Sequence, residues 1–328
     1  MRKAKPQLGH FSPEERDPAL AIRLDGVSKR FGETVAVQPF ELSVLKGETL
    51  GIIGPDGGGK STLLRTIATL ILPDAGRGAV CGYDLFKEFR QIRRSIGYMP
   101  QRFSLYGDLT VFENMRFFAD VFGLSRSHFK ERVEELLSFN ALEPFLDRKA
   151  ANLSGGMKQK LALSCILIPT PQLVILDEPT TGVDPVSRQE FWQILASLRE
   201  KGVTVLVTTP YMDEAQQCDR ICLLHQGRRL IEDNPERVAQ SFPYAVVEVR
   251  GQDLLGRLDE IRAFPEVASG TAFGDRLHLY TKDPEALRTR LEHSLKKEKN
   301  LLISMGKPSI EDVFVSFIEQ NIEEVAHG

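Results

Sequence analysis

The sequence predicts an α/β protein in which helices cover a parallel sheet, followed by a small α+β unit. Two features of the residue pattern indicate this fold. Short, continuous apolar runs recur through the chain, such as ETLGIIG (residues 48–54), LVILD (173–177) and VTVLVTT (203–209). Such runs are typical of strands that are buried on both faces. Between them, SHFKERVEELLSF (127–139) carries apolar residues at helical spacing, which predicts an amphipathic helix.

The smaller unit begins where this pattern ends, at about residue 240. YAVVEV, RLHLYT and NLLISM are predicted strands, and DLLGRLDEIRAF and DPEALRTRLEHSL are predicted helices. A last predicted helix, SIEDVFVSFIEQ, closes the unit. We therefore expect a lead-in over residues 1–20, a main domain over residues 21–240 and an accessory α+β domain over residues 241–328.

Charge and composition exclude several classes of protein. The 328 residues include 42 Lys and Arg against 45 Asp and Glu, a net charge of −3. No nucleic-acid partner is expected, because the chain lacks the basic excess of such proteins. No stretch approaches the roughly 18 apolar residues that span a bilayer. The N-terminal MRKAKPQLGHFSPEERDPAL has no apolar core, so a signal peptide is not expected, and its polarity predicts disorder.

The four cysteines, Cys81, Cys165, Cys218 and Cys222, match neither a disulfide framework nor a common zinc spacing. We expect them to pack in the core, and a reducing compartment is the simplest setting for them. Cys218 and Cys222 share one face if their segment is helical.

The strongest chemical signal is GPDGGGKST, residues 54–62, which lies between a predicted strand and the helical LLRTIATLI. Its glycines allow successive N–H groups to face a phosphate, and the following helix N-terminus adds a favourable dipole. We expect Lys60 to reach the β- and γ-phosphates of a nucleotide and Ser61 to ligate Mg²⁺. A glycine-rich turn with a chance lysine is the alternative, which the strand–loop–helix context disfavours.

Two acids, Asp177 and Glu178, stand at the end of the apolar strand LVILD. Beside a phosphate loop, the first can hold Mg²⁺ through water and the second can polarise an attacking water. Shortly before them, LSGGMKQK (residues 153–160) opens an apolar helix with Ser-Gly-Gly. This is a second anion-binding helix terminus, although an ordinary Ser-capped helix has the same pattern. Two such termini with one pair of acids suggest that the second serves the nucleotide of another molecule.

In order and in detail, these motifs resemble the ATP-binding cassette (ABC) ATPases, the motor subunits of ABC transporters, over roughly residues 22–237. The resemblance implies a P-loop NTPase fold of the ABC ATPase type, a RecA-like core with antiparallel β and helical subdomains. It identifies GPDGGGKST as the Walker A loop, LVILDE as the Walker B strand and LSGGM as the signature. Gln101 matches the Q-loop residue, which senses Mg²⁺ and contacts the transmembrane partner. Asp184 matches the D-loop, and Phe31 matches the aromatic residue that stacks on adenine.

The resemblance also implies ATP and Mg²⁺ as cofactors, a second ABC ATPase subunit, identical or different, and an integral membrane permease. In the family, each ATP lies between the Walker A loop of one chain and the signature of the other. The implied location is cytoplasmic, at the inner face of the cell membrane. The implied site residues are, for ATP, Phe31, Gly54, Asp56, Gly57, Gly58, Gly59, Lys60, Ser61 and Thr62; for the metal, Ser61, Gln101 and Asp177; for catalysis, Glu178, Gln101 and Pro210 in place of a histidine; for the signature, Ser154, Gly155, Gly156 and Met157; and for the D-loop, Asp184.

The sequence departs from the usual family pattern in several places. Asp56 and Gly58 stand where Asn and Ala are more common, and Asp56 adds a negative charge near the phosphates. Met157 replaces the usual Gln of the signature, a variant that is common among members serving ABC-2-type exporters. In TTPYMDEA, Pro210 occupies the place of the switch histidine that contacts the γ-phosphate.

Proline cannot supply that contact, because it has neither a side-chain donor nor a backbone N–H. Losing one preorganised donor costs about 10²–10³ in rate, so we expect slow hydrolysis at this chain's own site although Glu178 remains. A hydroxyl of Thr209 or Tyr211 could substitute, but Pro210 biases Thr209 toward an extended backbone. Loop variation without functional effect is the remaining alternative.

We therefore predict an asymmetric ATP-binding subunit of an ABC-2-type exporter, whose signature completes a partner's site while its own site holds ATP as a slow clamp. The chain resembles the first half of tandem ABC ATPases of the YbhF type, which pair with ABC-2 permeases. Its ending, KPSIEDVFVSFIEQ, resembles drug-resistance ABC ATPases of the daunorubicin exporter type, whose accessory domain helps dimerisation. The alternative is that this ending packs only against its own ATPase domain. Rival functions are a non-catalytic regulatory subunit and a soluble ABC ATPase not tied to transport.

Overall fold

A computed structural model describes residues 7–102, 105–251, 254–296 and 301–327 of the protein. The chain divides into two units, one that ends at Asn234 and one that begins at Pro235. The expected boundary at residue 240 therefore lies too far along the chain. The reason is a short helix, Pro235–Gln240, which packs against the last helix of the second unit.

The first unit is built from two sheets and a group of helices. Its strands are β1 (Gln7–Leu8), β2 (Leu20–Phe31), β3 (Thr34–Leu45), β4 (Thr49–Ile53), β5 (Ala75–Val80), β6 (Tyr83–Asp84), β7 (Ile96–Met99), β8 (Leu173–Asp177), β9 (Thr204–Thr209), β10 (Arg220–His225) and β11 (Arg228–Asp233). Its α-helices are α1 (Lys60–Ile67), α2 (Phe89–Ser95), α3 (Val111–Val121), α4 (Arg126–Asn140), α5 (Gly155–Leu167) and α6 (Pro185–Glu200).

The larger sheet positions the chemistry. Its strand order is β11-β10-β4-β9-β8-β7, and neighbours pair in parallel except for β10 with β11. Every residue of β4, β8 and β9 is buried, which confirms the prediction of strands covered on both faces. Because parallel strands end at the same edge of a sheet, the carboxyl ends of β4, β9 and β8 lie side by side.

The second sheet of this unit has the order β1-β5-β2-β3, with β6 beside β5. Antiparallel pairs join β2 to both β3 and β5 and join β5 to β6, whereas β1 pairs with β5 in parallel. A helical part, formed by α3, α4 and α5, lies between β7 and β8 in the chain. Together these parts match the antiparallel β and helical subdomains that were expected.

The predicted disorder of the N-terminal lead-in is wrong for residues 7–20. Strand β1 pairs with β5, and Phe11 is only 1% exposed. The physical reason is that the Phe11 ring lies between the guanidinium groups of Arg23 and Arg77, each 4.4 Å from the ring centroid. The first six residues of the lead-in lie outside the described residues.

Helix α4 contains the segment SHFKERVEELLSF, as predicted. It begins after Ser125, whose hydroxyl accepts a hydrogen bond from the His128 backbone N–H and so satisfies one free donor of the first turn. The buried face of the helix carries the apolar residues of the predicted stripe, Phe129, Val133, Leu136 and Leu137. Apolar spacing and a serine cap therefore agree with each other in this helix.

The second unit is an antiparallel sheet with four α-helices among its described residues. Its strands are β12 (Ala245–Arg250), β13 (Ser269–Phe273), β14 (Arg276–Thr281) and β15 (Leu302–Gly306). Its helices are α7 (Pro235–Gln240), α8 (Leu258–Arg262), α9 (Pro284–Ser294) and α10 (Ile310–His327). The strand order is β13-β14-β12-β15. Strand β13 was not predicted, because its sequence SGTAF is small and carries little β-strand preference.

A buried carboxylate fixes the first turn of α10 to this sheet. The Asp312 side chain, which is fully buried, accepts hydrogen bonds from the Tyr280 hydroxyl at 2.8 Å and from the Ser309 backbone N–H at 2.7 Å. His278 Nδ1 lies 2.7 Å from the same carboxylate. Burial alone disfavours the charged form, but these hydrogen bonds outweigh it, and the pKa of Asp312 lies below its ordinary value.

Cys165, Cys218 and Cys222 are buried in the core, as expected, whereas Cys81 is partly buried and packs against it. Cys222 belongs to β10 and Cys218 precedes that strand, so their predicted helical alternative is wrong. Burial raises the pKa of every one of the four thiols, which keeps them protonated and unreactive. Among the described residues, no helix is long and apolar enough to cross a membrane.

Phe11→Ala tests whether the N-terminal segment is part of the folded unit. We expect the free energy of unfolding to fall by about 3 kcal/mol, because a buried ring is replaced by a cavity. Urea unfolding can be followed by the fluorescence of Trp192, the only tryptophan, which lies in the same unit. Val121→Ala, at a side chain that is 64% exposed, is the control and should change stability by less than about 0.5 kcal/mol. Equal urea midpoints for the two variants would contradict the assignment.

Candidate nucleotide site

The phosphate loop connects β4 to α1 and depends on glycine at two close approaches. A Cβ at Gly54 would lie 2.1 Å from the Leu224 carbonyl oxygen, at the end of β10. Gly59 has φ of 101°, and a Cβ there would lie 2.3 Å from the Ala36 carbonyl oxygen. No other residue type fits these positions without moving backbone. The loop is therefore held by the strands on either side of it.

Lys60 is the first residue of α1, and its side chain is only 3% exposed. Its ammonium group donates to the carbonyl oxygens of Gly54 at 2.8 Å and Pro55 at 3.0 Å. It also forms an ion pair with Glu178 at 3.0 Å, whereas the exposed Asp56 carboxylate lies farther away at 3.8 Å. All three ammonium protons thus have partners.

Asp177, the last residue of β8, is fully buried. Its Oδ1 atom accepts hydrogen bonds from the hydroxyls of Ser61 at 2.8 Å and Thr208 at 3.0 Å. Its Oδ2 atom is buried and has no hydrogen-bond partner among the described residues. Burial raises the pKa of this carboxyl, and the two hydroxyls oppose that rise only in part. A buried acceptor with a free oxygen is suited to a cation.

These groups fit the expected Mg²⁺. The Ser61 hydroxyl and the Asp177 carboxylate supply hard oxygen ligands of the kind that Mg²⁺ prefers, and one carboxylate oxygen has no other partner. Gln101, expected to ligate the metal, donates instead to Glu178 Oε2 at 2.8 Å in this structure. Its role toward the metal stays a prediction.

Glu178 follows β8 and is 5% exposed, with φ of 51°. This left-handed conformation is uncommon outside glycine, and it turns the side chain toward the phosphate loop. The carboxylate contacts both Lys60 and Gln101, and the Thr181 hydroxyl lies 3.4 Å from it. Four predicted parts of the site therefore meet at one edge of the sheet: the phosphate loop, the predicted metal ligand Asp177, Glu178 and Gln101.

The switch segment begins where β9 ends. The Thr209 hydroxyl donates to Glu214 Oε2 at 2.5 Å and accepts a hydrogen bond from the Tyr211 backbone N–H at 3.0 Å. Because Thr209 is fully buried and both roles of its hydroxyl are used, it is not available to a nucleotide. This arrangement argues against the alternative in which the Thr209 hydroxyl substitutes for the missing donor.

Sequence reasoning missed a contact between Glu214, in this segment, and Arg188, in α6. Glu214 is 4% exposed and accepts hydrogen bonds from Thr180 at 3.1 Å, from Thr209 and from Arg188 Nε at 2.9 Å. The Arg188 guanidinium also lies 4.1 Å from the centroid of the Tyr211 ring. The only local signal of this network is the acidic pair in YMDEA, because Arg188 belongs to a separate element, α6.

The signature and the D-loop meet each other, away from the phosphate loop. The Ser154 hydroxyl caps α5 by accepting a hydrogen bond from the Met157 backbone N–H at 3.3 Å. Asp184 caps α6 in the same way through the Ser187 N–H at 3.0 Å. A Cβ at Gly156 would lie 2.5 Å from the Ser187 side chain, so the two helix ends are closely packed. Within residues 7–102 and 105–251, no hydrogen bond joins the signature to the phosphate loop.

Phe31, predicted to stack on adenine, lies at the end of β2 and is 50% exposed. The Lys29 ammonium lies 5.4 Å from its ring centroid. An exposed ring at the rim of the sheet is free to stack, but nothing in its contacts selects adenine.

A phosphate loop after a buried strand, with a metal acid on the next strand but one, defines a P-loop nucleotide-binding protein. The family described as ABC transporter matches residues 37–181. Over 307 residues the chain is 38% identical to the Nod factor export ATP-binding protein I of Rhizobium sp. (strain N33). This match covers 93% of the chain and 99% of that protein. The chain therefore belongs to the ABC transporter family, as predicted.

A second relative is longer than this chain. The probable multidrug ABC transporter ATP-binding protein YbhF of Escherichia coli (strain K12) is 38% identical over 304 residues. The match covers 90% of this chain and 52% of that protein, so the chain spans about half the length of YbhF.

Solved structures confirm the predicted fold. The structure of cbiO1 from Clostridium perfringens, described as part of the ABC transporter complex cbiONQ, matches with a TM-score of 0.62 at 26% identity. The match covers 68% of this chain and 92% of that chain. The ATP-binding cassette MJ0796, solved as a dimer bound to ADP and Pi, matches with a TM-score of 0.59 at 31% identity. This match covers 65% of the chain and 98% of MJ0796.

The buried pair Lys60–Glu178 generates a paired prediction about stability and nucleotide binding. Lys60→Met should lower the free energy of unfolding by about 3 kcal/mol, because Glu178 is left as a buried, unpaired charge. The double variant Lys60→Met/Glu178→Gln should recover most of this stability, because no buried charge remains.

Nucleotide affinity separates the two roles of the lysine. Titration with a fluorescent ATP analogue should show that both variants bind at least about 100-fold more weakly than the original chain, since the phosphate ligand is missing in each. Recovery of affinity together with stability would show that Lys60 does not contact the phosphates.

Proposed function

We propose that this chain is the ATP-binding subunit of an ABC-2-type exporter, and that its own ATP site hydrolyses slowly while its signature completes a partner's site. The observation that carries the proposal is the switch segment. Pro210 stands where a donor to the γ-phosphate is expected, and the neighbouring hydroxyl of Thr209 is committed to Glu214. The phosphate loop with Lys60, the predicted metal ligand Asp177 and the carboxylate of Glu178 are present.

The chain's own residues divide the work on ATP. The N–H groups of the phosphate loop and the Lys60 ammonium hold the phosphates, and the exposed Phe31 ring stacks on the base. When bound, Mg²⁺ neutralises phosphate charge, and Ser61 and Asp177 hold it. Once phosphate replaces Glu178 as the partner of Lys60, the freed carboxylate orients the attacking water. Without a switch donor the charge that develops on the γ-phosphate is poorly stabilised.

Support for the asymmetric pairing comes from the signature. The residues Ser154, Gly155 and Gly156 retain the anion-binding form of a helix N-terminus, and Ser154 and Gly155 are exposed. A competent second ABC ATPase, with its own switch histidine, would therefore receive a complete signature from this chain. YbhF, of which this chain spans about half, suggests that such a pair can also exist within one polypeptide.

Support for export and for a permease comes from relatives and from one cleft. The relatives are named for Nod factor export and as a probable multidrug transporter.

A cleft of about 430 Å³ lies between α5 and the segment that follows Gln101, and its walls include Gly107, Ala151 and Gly155. Beside it, Tyr106 and Phe117 are exposed and pack edge to face at 4.6 Å. We propose that a cytoplasmic segment of the permease docks here, which places the chain at the inner face of the membrane.

We propose that the second unit helps the chain to dimerise. It has its own core and a buried polar anchor at Asp312, so it is a folded unit rather than a tail. Deleting residues 235–328 should weaken dimer formation while leaving nucleotide binding by the first unit intact.

Pro210→His tests the slow site directly. We expect the ATPase rate of the purified chain to rise by about 10²-fold, because a donor to the γ-phosphate is restored. Pro210→Ala is the matched control: it removes the proline ring without adding a donor and should leave the rate low. If the ATPase rate of the original chain is as high as that of Pro210→His, the asymmetric site is refuted.

Glu178→Gln in the assembled transporter distinguishes slow hydrolysis from a purely structural site. If this chain's own site turns over slowly, the variant should remove that minor contribution and slow nucleotide release measurably. A regulatory subunit that never hydrolyses ATP would lose almost nothing. Measuring phosphate release alongside the partner's matching variant separates the contributions of the two sites.

A further inference from the structure

An exposed acid, Asp56, stands in the phosphate loop four residues before Lys60. Its side chain is 86% exposed, and its Oδ1 atom lies 3.8 Å from the Lys60 ammonium nitrogen. Among the described residues, the Asp56 carboxylate accepts no hydrogen bond, and Lys60 is the cation with which it pairs. A negative charge without a structural partner of its own therefore lies beside the group that is expected to hold the phosphates.

The backbone of the loop fixes the place of this carboxylate. The Gly58 N–H donates to the Pro55 carbonyl oxygen at 3.2 Å, which closes a turn with Asp56 and Gly57 at its centre. Gly57 has φ of 76°, a conformation that suits glycine in such a turn. The Gly58 carbonyl oxygen accepts a hydrogen bond from the Gly227 N–H at 2.9 Å, which ties the turn to the segment between β10 and β11. The Asp56 carboxylate can therefore move only through its own side-chain torsions, and it stays close to the loop.

Asp56 and a bound phosphate would compete for one cation. Lys60 pairs with Glu178 at 3.0 Å, a shorter contact than its 3.8 Å approach to Asp56. In the proposed mechanism a phosphate takes the place of Glu178 on this ammonium group. A phosphate oxygen about 3 Å from the ammonium nitrogen lies no more than about 7 Å from the Asp56 carboxylate oxygen. The two negative groups therefore repel each other across the lysine.

We propose that Asp56 determines which form of the nucleotide this site accepts, an inference that rests on the proposed function, in which Lys60 holds the phosphates. The carboxylate disfavours a nucleotide in proportion to the negative charge of its phosphates, and so favours the magnesium complex of ATP over free ATP. At a separation of about 7 Å in water, each unit of phosphate charge costs about threefold in affinity. Because Mg²⁺ removes two units of charge, the two forms of ATP should differ by roughly eightfold through Asp56 alone.

Repulsion fits Asp56 better than metal binding does. The expected metal ligands, Ser61 and Asp177, are joined by a hydrogen bond of 2.8 Å, and Asp177 is fully buried. Asp56 is exposed, and its close contact is with Lys60. The two roles predict opposite effects when the charge is removed. Loss of a metal ligand weakens binding of the magnesium complex, whereas loss of a repulsive carboxylate strengthens binding of every form, and of free ATP most.

Titration of the purified full chain with a fluorescent ATP analogue tests the proposal. The buffer has an ionic strength of about 0.01 M, where the Debye length is about 30 Å and charges are little screened. The dissociation constant is measured with excess Mg²⁺ and with EDTA, and the readout is the ratio of the two. Asp56→Asn should strengthen binding in both conditions, and about eightfold more in EDTA, so that this ratio approaches one. Asp56→Glu keeps the charge and should keep the ratio of the original chain.

Asp120→Asn is the matched control. Asp120 is an exposed acid that pairs with Arg116 four residues away, as Asp56 pairs with Lys60, but it lies on α3, which packs against α4 and α5. The control should change the ratio by less than about twofold. The proposal is overturned if Asp56→Asn leaves the ratio unchanged, if it weakens binding of the magnesium complex, or if Asp120→Asn changes the ratio equally.

Different measurements separate this proposal from the preceding one. Asp56→Asn should change the ratio of dissociation constants equally in the original chain and in the Pro210→His background, because position 210 does not alter the charge of the loop. Failure of the slow-site proposal would appear in the ATPase rate of Pro210→His. Failure of Lys60 as the phosphate ligand would appear as unchanged affinity in Lys60→Met. Failure of the charge proposal would appear only in the ratio.

Discussion

The ammonium group of Lys60 is the charge around which the nucleotide site is organised. It is buried, so each of its protons needs a partner, and two carbonyls of the phosphate loop and Glu178 provide them. The loop is thereby held in its curved form before any nucleotide arrives. The same contact engages the Glu178 carboxylate. In the mechanism that we propose, a phosphate competes with Glu178 for the lysine, so binding of ATP and release of this carboxylate are one event.

The switch segment keeps a complete hydrogen-bond network although Pro210 stands where the family resemblance implies a histidine. Glu214 is satisfied by Thr180, Thr209 and Arg188, none of which depends on the side chain at Pro210. Arg188 lies in the first turn of α6, next to the residues that pack against Gly156 of the signature. This network therefore links the switch segment to the helix ends that we propose are offered to a partner. In the proposed mechanism, replacement of the histidine affects one ATP site only.

Much of this arrangement could be predicted because it follows from short-range patterns. Continuous apolar runs identified β4, β8 and β9, and parallel strands bring their ends together, so the meeting of Lys60 with Glu178 followed from topology. What escaped prediction depends on partners far apart in the chain. The polar N-terminal segment is ordered because Phe11 finds Arg23 and Arg77, and no local pattern reports such a contact. Likewise, Arg188 and Glu214 belong to different elements, and neither carries a motif of its own.

The close approach of Gly54 to the Leu224 carbonyl has a consequence for the order of events during synthesis. The phosphate loop is synthesised before the strand that confines it, β10, which follows about 170 residues later, roughly 10 to 30 s at usual rates of translation. In that interval the apolar strand β4 lacks both of its neighbours, β9 and β10. The nascent chain cannot use ATP to fold, because the cradle for its phosphates does not yet exist. Chaperone demand should therefore be greatest while the middle of the chain is being made.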